Sequence, residues 1–404
     1  MDLFNWMINA LLNILDFISK IEIFFLLTLL IILFNILLHF TKDKIYLNSI
    51  LINKDPEISS INDLKFTPLV NIIIPAWNEG LEFKECLLSI EKLNYPKLKV
   101  IISAGGNEET IKIAESYKNR ENYIVLHQIG GKKRYASGKI AALNQCIEYI
   151  TEGISYLIDA DCYITDEILL RMIYPIVNLN ENVTINTFRP LKSQEGRSFV
   201  NYLQFDRVGN FKGKFKRYNK IMVSGSNTCV SYKAIKAIGK FNEKRMLPED
   251  HSRGYDLISK GFKIYMLVDY RSRMYSAYPN NLKEYFEQRK RYFANAILSL
   301  KFYKKRIYYF RFLFVFLMSV FILMSPIFLF IHISFIIISF FMVLEFYFIK
   351  IRKYLFFRKI VEESVYQNFH KILFLKLFFY VCVEILINVL VLIRIPSYLK
   401  EIKE

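Results

Sequence analysis

The sequence predicts an α/β domain with a mostly parallel sheet, flanked at both ends by transmembrane and interfacial helices. Three observations lead there. The 404-residue chain is 53% hydrophobic yet 23% charged, and the two kinds of residue are segregated along it. Between residues 70 and 162, short apolar runs alternate with segments of helical spacing, the pattern of βαβ units. Long apolar runs of bilayer-spanning length lie outside that region on both sides. The expected division is 1–45 for one or more N-terminal membrane helices, 46–300 for a cytoplasmic catalytic domain with interfacial helices, and 301–404 for C-terminal membrane helices with a basic interfacial segment.

Residues 3–18 suit a short span or an interfacial helix, and "IEIFFLLTLLIILFNILLHF" at 21–40 suits a full span. The start is acidic and no small-residue cleavage site follows His39, which disfavours a cleaved signal peptide. "VNIIIP" at 70–75 reads as a buried strand closed by Pro75, and "EGLEFKECLLSIEKL" as the helix after it. "LKVIISAGG" is a second strand ending on two glycines, "NEETIKIAESYKN" a helix and "NYIVLHQI" a third strand. "SGKIAALNQCIEYI" is helical in composition, and "ISYLIDADC" is the fourth and central strand. Farther on, 312–348 is too long for one span and breaks at Pro326, while 371–393 is long enough despite Lys376 and Glu384. The expectation is three or four spans, hence a multi-pass protein of the cell membrane whose partner is the bilayer.

The formal net charge is +18. Two clusters beside the apolar runs, 301–311 and 350–359, each carry five Lys or Arg interleaved with aromatics. Next to a bilayer this is a cytoplasmic membrane-surface signature, and no nucleic-acid partner is expected. The five cysteines, Cys86, Cys146, Cys162, Cys229 and Cys382, show neither metal-type pairing nor disulfide-like density, which fits a reducing compartment.

Ligands of open α/β sheets bind beyond the carboxyl ends of the strands. There the sequence places Trp77, Asn78 and Glu79, then Gly105 and Gly106, then Asp159 and Asp161. Two carboxylates one residue apart can converge on Mg²⁺ or Mn²⁺, hard cations that take oxygen ligands and share them with phosphates. A turn aspartate pair is the plainer reading of such a motif alone. "LPEDHS" has a plain reading too, since Glu249 and Asp250 suit the first turn of a helix. So has "QRKRYFAN", a basic amphipathic helix on the membrane, although Gln288, Arg291 and Tyr292 share one of its faces while Lys290 looks toward lipid.

The ordered set "NIIIPAWNEG", "GKIAALN", "IDADC", "LPED" and "QRKRY" resembles the membrane-integrated inverting glycosyltransferases of family 2, the group of poly-N-acetylglucosamine, hyaluronan and cellulose synthases, from residue 65 to 345. The resemblance implies a GT-A nucleotide-diphospho-sugar domain and a polymerising, translocating hexosyltransferase. Asp159 and Asp161 match the family's metal motif, with Asp161 the sharper ligand and Asp159 directed to sugar or ribose. Asp250 matches the base that deprotonates the acceptor, with Glu249 as alternative, while Gln288, Arg291 and Tyr292 match the motif over the diphosphate. Pro75, Asn78, Glu79, Gly105, Gly106 and Lys139 fall on the donor side, and Ser226 and Asn227 on the acceptor side. The implied partners are a nucleotide-sugar donor, UDP-sugar first, a glycan or lipid-linked acceptor, and an accessory membrane subunit.

Two departures stand out. "SAGGN", 103–107, replaces the acidic pair that contacts the base in related enzymes, so either the glycines and Asn107 replace it or the base is not uracil. Tyr292 replaces the motif's tryptophan with a smaller aromatic face that also carries a hydroxyl. His251 is expected on the surface. A single-addition transferase to a membrane lipid and an inactive membrane scaffold are the competing readings.

Overall fold

In the computed structural model the described residues are, with short interruptions, 29–38, 55–128, 137–188, 199–203, 218–243, 248–300, 316–327, 334–362 and 374–403. The expected helix at 3–18 and the basic cluster 301–311 lie outside them.

Helix α1 spans Leu29–Leu38. The α/β domain then runs β1 (Val70–Trp77), α2 (Leu81–Glu91), β2 (Leu98–Gly105), α3 (Glu108–Glu115), β3 (Tyr123–His127), α4 (Ser137–Ile147), β4 (Ile154–Leu157) and α5 (Asp166–Asn178). After it come β5 (Val183–Ile185), β6 (Tyr218–Asn219), β7 (Thr228–Ser231), α6 (Tyr232–Ile238), α7 (Glu249–Ser259), β8 (Ile264–Met266), α8 (Leu282–Leu300), α9 (Ser334–Glu362) and α10 (Phe374–Lys403). Local chemistry starts several helices: Asn107 accepts the Thr110 N–H at 2.9 Å to cap α3, and Thr165 and Ser231 cap α5 and α6 in the same way.

The sheet order is β3-β2-β1-β4-β7-β5-β8-β6. β1 through β4 pair in parallel, as expected from their crossover helices. The other half is mixed, because β7 runs antiparallel to both β4 and β5, and β6 antiparallel to β8. Those strands are short, and the sequence pattern did not separate them.

β1 does not close at Pro75 but continues to Trp77, paired with β2 throughout. The reason is which way Pro75 faces. In β1 the Val70 and Asn78 N–H groups bond toward the β2 side, whereas Ile73 receives the Ile158 N–H from β4. Pro75 therefore faces β4, whose pairing with β1 has already ended at Ile73, and its missing N–H costs no ladder bond.

Alternation along the strands buries both faces of the sheet. Ile72, Ile74, Val100 and Ile102 pack with Phe83, Leu87 and Ile168 on one face, while Ile73 and Ile101 pack with Ile140 and Leu143 on the other. The second cluster continues without a break into Phe293, Tyr354, Leu377 and Val391 of α8, α9 and α10. Among the described residues one helix is long and apolar enough to cross a membrane, Phe374–Lys400, and α1 is a shorter apolar helix.

Candidate active site

The chain runs outward from β1 to β2 to β3, and α4 then carries it back so that β4 lies on the other side of β1. That reversal opens a crevice at the carboxyl ends of β1 and β4. Glu79 follows β1 there, and Asp159 and Asp161 follow β4.

Lys139, in the first turn of α4, places its ammonium between two carboxylates: it bonds Asp159 and lies 2.8 Å from Glu249 Oε1. The other oxygen of Glu249 is gripped by Arg253, at 3.0 Å from Nε and 2.7 Å from Nη2. Arg253 is itself buried and also donates to the carbonyls of Ser224 and Gly225. Asp159, Lys139, Glu249 and Arg253 thus form a line of alternating charge from β4 to α7. Burial alone would lower the Lys139 pKa, but Asp159 and Glu249 hold it above the ordinary lysine value. Burial likewise opposes ionisation of Glu249, yet Arg253 and then Lys139 keep its carboxyl below the usual range.

Asp161 accepts a bond from the Ser276 hydroxyl at 3.2 Å, and the Cys162 thiol lies 3.6 Å from its other oxygen. Tyr163 pairs with Tyr275 as an isolated bridge, which lays residues 275–276 along the carboxylate loop just before α8. The Cys86 thiol reaches the Asp159 carbonyl at 3.8 Å. Ser276 and Cys86 touch the aspartates from far along the chain, which nothing local to them reveals, and Cys162, although next to Asp161, was read from the sequence only for what the five cysteines say of redox compartment.

Ligand atoms of Asp159, Asp161 and Cys162 lie within 4.8 Å of one another. The oxygen pair suits a hard divalent cation, whereas the soft sulfur of Cys162 is a poor ligand for one. Charge balance argues the same way. Glu79, Asp159, Asp161 and Glu249 gather at this edge, with Lys139 and Arg253 among their cationic neighbours. The crowding of acids shows at Glu79, whose carboxyl is pushed up to about 7 by burial and then by Asp161 and Asp159. The residues fit a Mg²⁺ or Mn²⁺ ion.

Asp250 stands beside Glu249 in the first turn of α7, half-buried, and its carboxylate accepts the His251 main-chain N–H at 2.9 Å. The helix-start reading and the catalytic reading of "LPED" are therefore compatible. His251 is half-buried rather than exposed.

On the β2 side, Asn78 adopts φ 56 and its N–H donates to the Gly105 carbonyl at 3.2 Å. Trp77 is half-buried; a Cβ on Gly105 would meet its ring carbons at 2.8 and 2.9 Å. Gly106 has φ +93, and a Cβ there would lie 2.2 Å from Asn78 Oδ1. The two glycines are dictated by their neighbours.

Other residues are placed differently from expectation. Asn227 is fully buried, accepting from Tyr156 Oη at 2.9 Å and donating to the Ser272 carbonyl at 3.1 Å, and Ser226 is equally buried. Asn227 thus ties β4 to the segment before α8, and both residues lie in the core away from the surface on which an acceptor contact was expected. Asn107 spends its carboxamide oxygen on Thr110, so it does not stand in for the missing acid. Gln288 and Tyr292 are half-buried and Arg291 exposed on α8, and the described contacts of Gln288 and Arg291 do not tie them to the carboxylate cluster. Lys290 does not look outward: it pairs with Glu287 at 2.7 Å and lies over the Tyr398 ring of α10.

The sheet order and the carboxylate pair at its switch point define a GT-A-like glycosyltransferase fold. A model of the family described as "Glycosyltransferase like family 2" matches residues 68–295, more than half of the chain, and the protein belongs to that family. Glycosyltransferase AglE of Haloferax volcanii is 31% identical over 102 residues, covering 24% of this chain and 31% of its own length. The match thus spans about a third of that relative. Mannosyltransferase PcManGT from Pyrobaculum calidifontis, solved in complex with GDP-Man and Mn²⁺, superposes with a TM-score of 0.50 at 12% identity, over 88% of this chain and 95% of its own. S. aureus TarS 1-349 in complex with UDP-GlcNAc has a TM-score of 0.40 at 17% identity, over 60% of this chain and 69% of its own.

Proposed function

We propose that the protein is a membrane-bound inverting hexosyltransferase that moves a sugar from a nucleotide-diphospho-sugar, UDP-sugar first, to a growing polysaccharide that it also translocates. The observation that carries this reading is the division of labour in "LPED". Glu249 is pinned as an anion by Lys139 and Arg253, while the neighbouring Asp250 carries no such cation among its described contacts. Asp250 is the catalytic base.

The acceptor hydroxyl attacks C1 of the donor sugar as Asp250 takes its proton. The bond from C1 to the acceptor oxygen forms, and the bond from C1 to the diphosphate oxygen breaks on the opposite face. Asp159 and Asp161 would hold a divalent cation, which when bound would supply positive charge to the departing diphosphate. Lys139 adds fixed positive charge beside the carboxylates, and the resemblance assigns Gln288, Arg291 and Tyr292 of α8 to the diphosphate. Pro75, Asn78, Glu79, Gly105 and Gly106 form the donor edge. An accessory membrane subunit and a cytoplasmic orientation belong to the same reading.

Single addition to a lipid-linked acceptor is the second reading, favoured by Tyr292, whose ring offers less stacking surface than tryptophan. Incubation of the detergent-purified protein with labelled UDP-sugars and Mg²⁺, followed by product sizing, separates the two. A ladder of long chains is expected; one lipid-extractable adduct would overturn polymerisation. Asp250→Asn should cut transfer by about 10²- to 10⁴-fold while nucleotide binding persists. Residual full activity in that variant would remove Asp250 from the role.

A further inference from the structure

Lys139 and Asn144 belong to one short stretch of α4, "GKIAALN". The lysine reaches the carboxylates. Asn144 is 3% exposed and spends its carboxamide on a segment far along the chain. Its Oδ1 accepts the Phe241 N–H at 2.8 Å, and its Nδ2 donates to the Phe241 carbonyl and to Glu243 Oε1, both at 2.9 Å. Residues 241–243 form neither strand nor helix. Buried main-chain groups outside a ladder need other partners, and one carboxamide here offers the donor and the acceptor together.

The clasped segment also touches α7, because the Asn242 N–H donates to Asp256 Oδ2 at 3.2 Å. Against α4, α7 is thus held at two levels: Glu249 by Lys139, and Asp256 through the Asn144 clasp. Those two residues of α7 lie about 10 Å apart along its axis, at about 1.5 Å per residue. One attachment leaves a helix able to tilt about it; two at that spacing fix the direction of its axis. The loop before β7 grips α7 as well, through Arg253 and the Asp250 carbonyl, and the clasp acts farther down the helix. Asp250 stands in the first turn of α7, and the lysine on Asp159 in the first turn of α4. The angle between the two helices therefore governs where Asp250 stands relative to the donor side.

We infer that Asn144 is a positioning residue for the transfer: through residues 241–243 it fixes the tilt of α7 on α4, and with it the place of the Asp250 carboxylate opposite the donor sugar. The inference rests on the proposed function, with Asp250 as the base, and gives Asn144 no contact with either substrate. Truncating its side chain should slow the chemical step and spare donor binding, since a displacement of about 1 Å far from the chemistry can cost about 10²-fold in rate. Phe241 belongs to the same apolar cluster as Ile140 and Leu143 of α4, so packing continues to hold the segment near α4 when the clasp is removed.

The test uses the full chain in detergent with Mg²⁺, labelled UDP- and GDP-sugars, and a lipid and glycan extract of its source membrane as acceptor. In Asn144→Ala, kcat should fall about 10- to 100-fold, while donor KM and the calorimetric affinity for the matching nucleoside diphosphate stay within about twofold and the binding stoichiometry is unchanged. The decisive comparison is a cycle with Asp250→Asn. Adding Asn144→Ala to Asp250→Asn should cost less than about threefold more, because no base is left to displace. Losses that multiply, a kcat that does not fall, or nucleotide binding that weakens as much as the rate would overturn the inference and leave the transferase reading standing. Should Asn144→Ala fail to fold, Asn144→Asp alone and together with Glu243→Gln take its place. The new carboxylate faces Glu243 in the first and receives an amide N–H from position 243 in the second, where kcat should recover by about fivefold or more. No recovery would overturn the inference. No transfer from any sugar nucleotide by the unaltered chain, or full activity in Asp250→Asn, would instead remove the reading on which the inference stands.

Discussion

Asn227 shows how a residue can sit in a suggestive motif and serve packing alone. Asn227→Ala removes the partners of the Tyr156 hydroxyl and the Ser272 carbonyl in a fully buried place. A loss of about 2 kcal/mol in unfolding free energy is expected by chemical denaturation, with nucleotide affinity unchanged. Glu79 makes the opposite case, a titrating group at the site itself. Its carboxyl is held near 7 in the folded protein against 4.5 in the open chain, so the native state keeps a proton that the unfolded state releases. Without added divalent ion, stability should therefore fall as pH rises from 4.5 to 7 and level off above. Because a bound cation competes with that proton, apparent Mg²⁺ affinity should rise through the same window, and Glu79→Gln should flatten the rise in a calorimetric pH series. The carboxylate pair, the lysine of "GKIAALN" and the Glu-Asp dipeptide were legible because each follows a recognisable strand or opens a helix. Ser276 was not, since it meets Asp161 only once the sheet has brought distant loops to one edge, and the Arg253 grip on Glu249, although one helical turn long, shows no sign in the sequence that it is buried.

Among the elements, α8 is the joint between the sheet domain and the apolar helices. One face carries Gln288, Arg291 and Tyr292. The other sends Arg289 to the Asn388 oxygen at 2.8 Å and toward Glu384 at 3.6 Å, both on α10, while Phe293 packs on Phe316. Glu384 also takes Lys350 of α9 at 2.6 Å and the Tyr202 hydroxyl, and Asn388 donates to Ser319 at 3.2 Å. Polar groups buried among apolar helices persist when they satisfy one another. Glu384→Ala would remove the buried carboxylate that takes Lys350 and Tyr202, and a loss of about 3 kcal/mol is expected in detergent thermal denaturation. From the sequence Glu384 is only an interruption in an apolar run; its partners lie on three other segments, and no periodicity reports them. The short strands β5 to β8 escaped for a related reason, since runs of two to four residues carry too little alternation to register.

At the scale of the whole molecule, apolar side chains stand exposed along two helices, which suits the proposed membrane attachment. Leu30, Ile31, Phe34 and Leu37 are exposed along α1, and Leu375, Phe379, Leu386 and Ile393 along α10. Faces of this size on a water-soluble monomer would be unusual. The expected outcome is that the protein stays in the membrane pellet through an alkaline carbonate wash and leaves it only with detergent; recovery in the wash would argue against integral insertion. The α/β order of the front half was readable because four strands and their crossover helices follow one another at regular spacing. The number of spans was less so, because composition says that a run can cross a bilayer and not that it does. The line from Asp159 through Lys139 and Glu249 to Arg253 has one more meaning at this scale. On the proposed function a single ammonium would be shared between the donor half and the acceptor half, so filling one half would redistribute charge next to the base of the other. In kinetic language, donor and acceptor would then not be independent ligands: a nucleotide already in place would change how strongly the second substrate is held and how readily its hydroxyl gives up a proton.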